Sequence, residues 1–265
     1  MIQTRRRWAL LAAAVVCCAG AVPTAERQKT IARIDLSKPF HLTSGVVFTA
    51  TQGPDVDDPI YDGQTAPGLI HLCVRAGASA SCAPNVDDAL RGAEPIRFAQ
   101  IHFLEISEIV YPHGRNRAPL FHLQVGSLHA GNGTQNHAAL LLSYRPQERS
   151  FETVFQDQFG GNMNQETRYI ASGPLKGAMI AVHPTDNAPF GYWVSVHRPA
   201  ADYRYRQVLR YRSATVYNDG NPLAVIDSEM PNILRHLGMW RPGRPIPAPK
   251  RCRNPHLVQT ELWCS

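Results

Sequence analysis

Residues 178–198 read AMIAVHPTDNAPFGYWVSVHR. Two runs rich in aliphatic, β-branched and aromatic residues, 178–184 and 192–198, flank a segment TDNAPFG whose Asp, Asn, Pro and Gly are the residues that reverse a chain. The pattern predicts a β-hairpin, and its neighbours continue it. Directly after it, ADYRYRQVLRYRSATVY (201–217) alternates over a long run. Before it, AALLLSYRPQERSFETVFQ (138–156) reads as a second hairpin with Pro146 to Ser150 as the turn. FHLTSGVVFTAT (40–51) and PGLIHLCVR (67–75) each read as a strand. IRFAQIHFLEISEIVY (96–111), set between Pro95 and Pro112, is assigned to strand on its Ile, Phe and Val content.

About ten strands separated by short turns predict a mainly β, antiparallel single domain, sandwich-like rather than a barrel or propeller. One C-terminal helix is expected over 223–237, LAVIDSEMPNILRHL, ended by Gly238 and kinked or started late by Pro231. Beyond it, prolines at 242, 245, 247 and 249 forbid regular structure, so 239–265 is expected to be an extended, proline-rich tail.

The chain opens MIQTRRRWALLAAAVVCCAGAVPTAE, with Arg5, Arg6 and Arg7 ahead of a short apolar run and small residues after it. This is the grammar of an export signal. It predicts a cleaved signal peptide over 1–21, a linker over 22–38 and a β-rich domain over 39–265. The apolar run falls short of the roughly 20 residues that span a bilayer, so no transmembrane span is expected in the mature chain. A lipoprotein acylated at Cys17 or Cys18 is the alternative, although Val16 and Cys17 are poor neighbours for that modification. Of the formal charge of +6, three arginines belong to the signal. The remainder holds 24 basic against 21 acidic residues, a charge of +3. Charge distribution therefore says more about partners than the total does.

Four cysteines follow the signal: Cys73, Cys82, Cys252 and Cys264. An even count in an exported chain predicts disulfides, and the brackets CVRAGASASC and CRNPHLVQTELWC favour the two local pairings. Each such loop adds about 2–3 kcal/mol in the chain-entropy model. The second bridge is expected to pin the tail.

Four groups of residues invite a functional reading. GPDVDDPIYDG (53–63) gathers Asp55, Asp57, Asp58 and Asp62, but Pro59 and Ile60 fall where a calmodulin-type loop needs an oxygen ligand and a glycine. Calcium is possible there only as an irregular site, and no other cofactor is indicated. FGGNMNQETRY (159–169) carries Asn162, Asn164, Gln165 and Glu166, amides and an acid suited either to sugar hydroxyls or to local turn capping. In YRYRQVLRYR, strand periodicity places Arg204, Arg206, Arg210 and Arg212 on one face, with Tyr203, Tyr205, Leu209 and Tyr211 on the other. Guanidinium forks suit phosphate, sulfate or carboxylate. Eleven histidines supply the fourth group. His102, Glu105 and Glu108 could act together only across strands, and His183, Ser195 and Asp186 could meet through the hairpin.

No zinc-protease, nucleophile-elbow, phosphate-loop or dinucleotide motif is present. The expectation is therefore an exported, non-enzymatic binding protein, periplasmic or secreted, that recognises an anionic envelope glycan, a lipid head group or a protein partner. No nucleic-acid partner is expected. An envelope glycan hydrolase and an inhibitor or immunity-type protein are the alternatives.

Overall fold

The computed structural model describes residues 28–43, 45–77, 81–91, 100–112, 117–129, 135–186 and 190–264. The expected signal peptide and the lipoprotein cysteines lie outside the described residues, as do 96–99 and part of the 185–191 turn.

The stretch expected as a linker is in part structured. β1 (Lys29–Asp35) runs antiparallel along β2 (Val46–Gln52), which also pairs with β5 (Ile70–Ala76). Ala32 and Ile34 turn towards the core while Arg33 and Asp35 stay exposed, and β1, paired with β2 alone, is an edge strand of this sheet. Between β2 and β5 the acidic run folds as a small hairpin of β3 (Val56–Asp57) and β4 (Thr65–Ala66). A short helix that the sequence did not announce, α1 (Val86–Arg91), sends Val86 and Leu90 into the same core as β5.

A four-stranded antiparallel sheet forms the middle layer: β6 (Phe103–Val110), β7 (Leu120–His129), β8 (Gln135–Arg145) and β9 (Ser150–Gly160). Both of its faces are buried. Along β8, Ala138, Leu140 and Leu142 point into one core and Ala139 and Leu141 into another. This explains why AALLL is an unbroken apolar run rather than an alternating one. On the first side, Phe121 meets Phe48 edge-on at 4.8 Å, joining the middle layer to the β1–β2–β5 sheet.

On the second side lies a further antiparallel sheet of β10 (Glu166–Tyr169), β11 (Met179–Pro184), β12 (Gly191–Pro199) and β13 (Tyr205–Val216). Met179, Tyr169 and Tyr205 pack against Leu141, Phe155 and Phe159 across this seam. At its edge Gly177, with φ +84°, sits so close to Pro112 that a Cβ would lie 2.6 Å from the proline carbonyl oxygen. The outer face of the sheet carries Val182, Val194 and Val196 and is covered by two helices. The molecule is thus an antiparallel sandwich extended to three sheets and a helical cover; no sheet among the described residues closes into a barrel.

The expected single helix is divided. α2 (Val225–Ser228) stops at Glu229, and α3 (Met230–His236) begins with Pro231 in its first turn, where a missing amide hydrogen breaks no helical bond. Gly238, at φ +70°, ends α3. Its amide donates to the Arg235 carbonyl and that of Met239 to the Leu234 carbonyl, a Schellman closure. Glu229, fully buried at the joint, accepts five hydrogen bonds: from the amides of Ala214 and Thr215, the hydroxyls of Thr215 and Tyr211, and the side-chain amide of Asn232. One carboxylate thereby ties β13 to both helices.

Both expected bridges form. Cys73–Cys82 closes the loop after β5, and Cys252–Cys264 brackets a small hairpin of β14 (His256–Val258) and β15 (Glu261–Trp263). The tail is otherwise irregular from 240 to 255, as its prolines require.

Candidate functional site

The arginine-rich strand β13 does not present its arginines on one face. Against β12, Val196 pairs with Leu209 but His197 pairs with Gln207, so Val208 is an extra residue, a β-bulge that is 48% exposed. The bulge inverts the alternation. Arg206 falls opposite Arg198, on the face that carries Val194 and Val196, whereas Arg210 and Arg212 fall opposite Ser195 and Trp193 on the other face. The tyrosines divide in the same way: Tyr211 packs under the helices and Tyr205 in the seam. Arg204 precedes the strand.

Ion pairing separates the two groups further. Arg204 reaches Glu152 at 3.3 Å and Arg206 reaches Asp202 at 3.4 Å. Arg210 and Arg212 are exposed and form no ion pair among the described residues. Instead the Arg210 guanidinium lies over the Trp193 ring, 4.5 Å from its centroid, with Trp193 itself 36% exposed. Stacking by its face leaves a guanidinium's N–H edge free to donate.

Inward from this rim the same face enters the seam with the middle sheet. Asp157 of β9 accepts a hydrogen bond from the Thr167 hydroxyl through one oxygen and contacts Nε2 of His183 at 3.1 Å through the other. Burial draws His183 towards the neutral form, but the Asp157 hydrogen bond and charge outweigh it, and the imidazole titrates above its ordinary value; Arg210 opposes this in part. His197, edge-on to Phe155 at 5.3 Å, is held below the ordinary value by burial. From rim to floor the site runs Arg212, Trp193, Arg210, His183, Asp157: cations outside and an acid–imidazole pair within.

Asp157 escaped the sequence reading, which offered Asp186 as the partner of His183. Asp186 stays exposed in its turn. The available signal was FQDQF: at strand period Asp157 shares the face of Phe155 and Phe159, an acid among core aromatics. Ser195, buried opposite Ala181, makes no hydrogen bond to His183.

The other candidates are structural in what they contact. Asp58 accepts the amides of Ile60 and Tyr61, and those bonds, Tyr61 first, hold its carboxyl below the usual range. Asp55, Asp57 and Asp62 do not join it in a ligand set; among the described residues no three His, Cys, Asp or Glu side chains converge on a metal position. Gln165 accepts the Gly160 amide, and Glu166 accepts the Ile226 amide with one oxygen and the Arg168 guanidinium with the other. With Asn164 they line a hollow of about 410 Å³ against 221–224, and Asn162 closes the turn through its carbonyl. His102 is buried against the Pro67 carbonyl, while Glu105 and Glu108 pair separately with His137 and His122.

No family model, curated protein or solved structure matches the chain. Fold and site together define a disulfide-bonded, predominantly antiparallel β protein with a cationic aromatic face. Two bridges accord with an oxidising compartment outside the cytoplasm. No helix among the described residues is long and apolar enough to cross a membrane.

Proposed function

We propose that this is an exported, non-enzymatic binding protein of the cell envelope whose ligand bears phosphate, sulfate or carboxylate groups, as envelope glycans and lipid head groups do. The observation that carries the reading is the pair Arg210 and Arg212 flanking a partly exposed Trp193, neither of them in an ion pair among the described residues. A guanidinium held over an indole keeps its donors in place for an incoming anion. Behind them Asp157 holds His183 towards its charged form, so the imidazole offsets that carboxylate. The disulfides and the N-terminal export grammar support the compartment.

Titrating the protein with dextran sulfate while following tryptophan emission tests this. A saturable change that salt reverses, and that Trp193→Phe removes, is the expected result. An unchanged spectrum at low salt, with the protein folded, would contradict it. A hydrolase is the second reading, favoured only by the Asp157–His183 pair. Turnover of an envelope glycan that His183→Gln abolishes would establish that instead.

A further inference from the structure

We infer that a second site, roofed by the C-terminal tail, takes a small amphiphile with an anionic head and a short aliphatic body. Between the β10–β11 connection, helices α2 and α3 and tail residues 247–249 lies a cavity of about 360 Å³, within the size range of small-molecule sites. Its walls are apolar: Ile170, Leu175, Met230, Leu234, Pro247 and Pro249. Arg168 and Asp227 line it as its charged groups. Arg168 donates to Asp227 at 2.7 Å and to Glu166 at 2.6 Å, and Arg251 of the tail donates to the second Asp227 oxygen at 3.1 Å.

Formal charge in this cluster cancels, but exposure does not. The Asp227 and Glu166 side chains are 11% and 19% exposed, those of Arg168 and Arg251 34% and 76%. Asp227 lines the cavity beside Arg168, but both of its oxygens are already taken up by the guanidinium groups of Arg168 and Arg251, which are the more exposed partners. An apolar hollow with Arg168 in its lining, and Arg251 just beyond it on the same Asp227, fits a straight-chain carboxylate better than a neutral alkane or a polyanion. The roof is part of the site, since the tail that carries Pro247, Pro249 and Arg251 is anchored by Cys252–Cys264 immediately beyond.

Octanoate is the probe, followed by amide spectra of the full disulfide-bonded protein, with acetate and 1-octanol as controls. Octanoate should shift resonances of 170–175 and 247–249 saturably, and acetate should not. Two variants on opposite walls, Ala248→Trp and Ser172→Trp, should abolish the shifts while spectral dispersion remains native. Arg251→Ala should weaken octanoate about tenfold and leave 1-octanol unchanged. Arg210→Ala/Arg212→Ala should leave octanoate binding intact, which separates this site from the proposed anion face. Absence of saturable shifts, equal shifts with acetate, or full octanoate affinity in both folded tryptophan variants would overturn the inference.

Discussion

Arg210 lies across the indole of Trp193 on the neighbouring strand, 4.5 Å from the ring centroid, although Trp193 is paired in register with Arg212. The ring therefore has one arginine opposite and one on the diagonal. This arrangement exists because the bulge at Val208 turns Arg210 and Arg212 away from the helical cover, and Arg206 towards the opposite face. A two-residue cationic clamp on an aromatic platform replaces the four-membered ladder that simple alternation predicts.

The Asp157–His183 contact makes stability depend on pH with a definite sign. A histidine whose folded value is raised adds stability that is fully present below its unfolded value, about 6.5, and is lost as pH rises through the folded value. His183→Gln should therefore destabilise the protein more at pH 5.5 than at pH 8.5, measured by urea unfolding at both. Equal losses at the two pH values would count against a charged pair. His197 runs the other way: its lowered value adds stability above about pH 6.5 that is lost on acidification.

Glu229 should be among the least tolerant positions. Its replacement by alanine leaves buried donors from β13 and α3 without an acceptor, each costing about 1–3 kcal/mol. Glu229→Ala should lose at least about 3 kcal/mol in chemical denaturation. Glu229→Gln, which keeps one carbonyl acceptor, should lose less.

Reduction of Cys252–Cys264 should release the tail before the sheets. The bridge is worth about 2–3 kcal/mol for a loop of this size, and β14–β15 is too short to hold itself. In a Cys252→Ser/Cys264→Ser variant, limited proteolysis should cut first within 241–264 and leave the rest intact. Simultaneous cleavage throughout the chain would show that the tail is integral to the core.

Calcium should leave the melting temperature unchanged, because the acids of 55–62 serve a hairpin in which Asp58 binds backbone amides. A rise on adding calcium that a chelator reverses would restore the metal reading of that loop.

Much of the fold was legible where local chemistry acts alone. Turn residues at 146–149 mark the β8–β9 hairpin, Gly238 marks the helix end, and closely bracketed cysteines mark their own partners. What stayed hidden depends on pairing across strands. The Val208 bulge follows from register against β12, which no period within β13 reveals. β1 was obscured because an edge strand with one weakly apolar stripe, Ala32 and Ile34, resembles a polar leader. The site was legible in composition only: Arg210 and Arg212 were singled out with two others that structure assigns elsewhere, and Asp157 became meaningful once β9 was seen facing His183.

The most direct measurement compares two double variants for salt-dependent retention on an immobilised polyanion. Arg210→Ala/Arg212→Ala removes the clamp on Trp193, and Arg204→Ala/Arg206→Ala removes the arginines already paired with Glu152 and Asp202. The expected result is that the first variant elutes at much lower salt than wild type while the second elutes close to it, both remaining folded. Equal loss in the two would mean that overall charge governs retention, and no loss in the first would mean that the Arg210–Trp193–Arg212 face is not the binding surface.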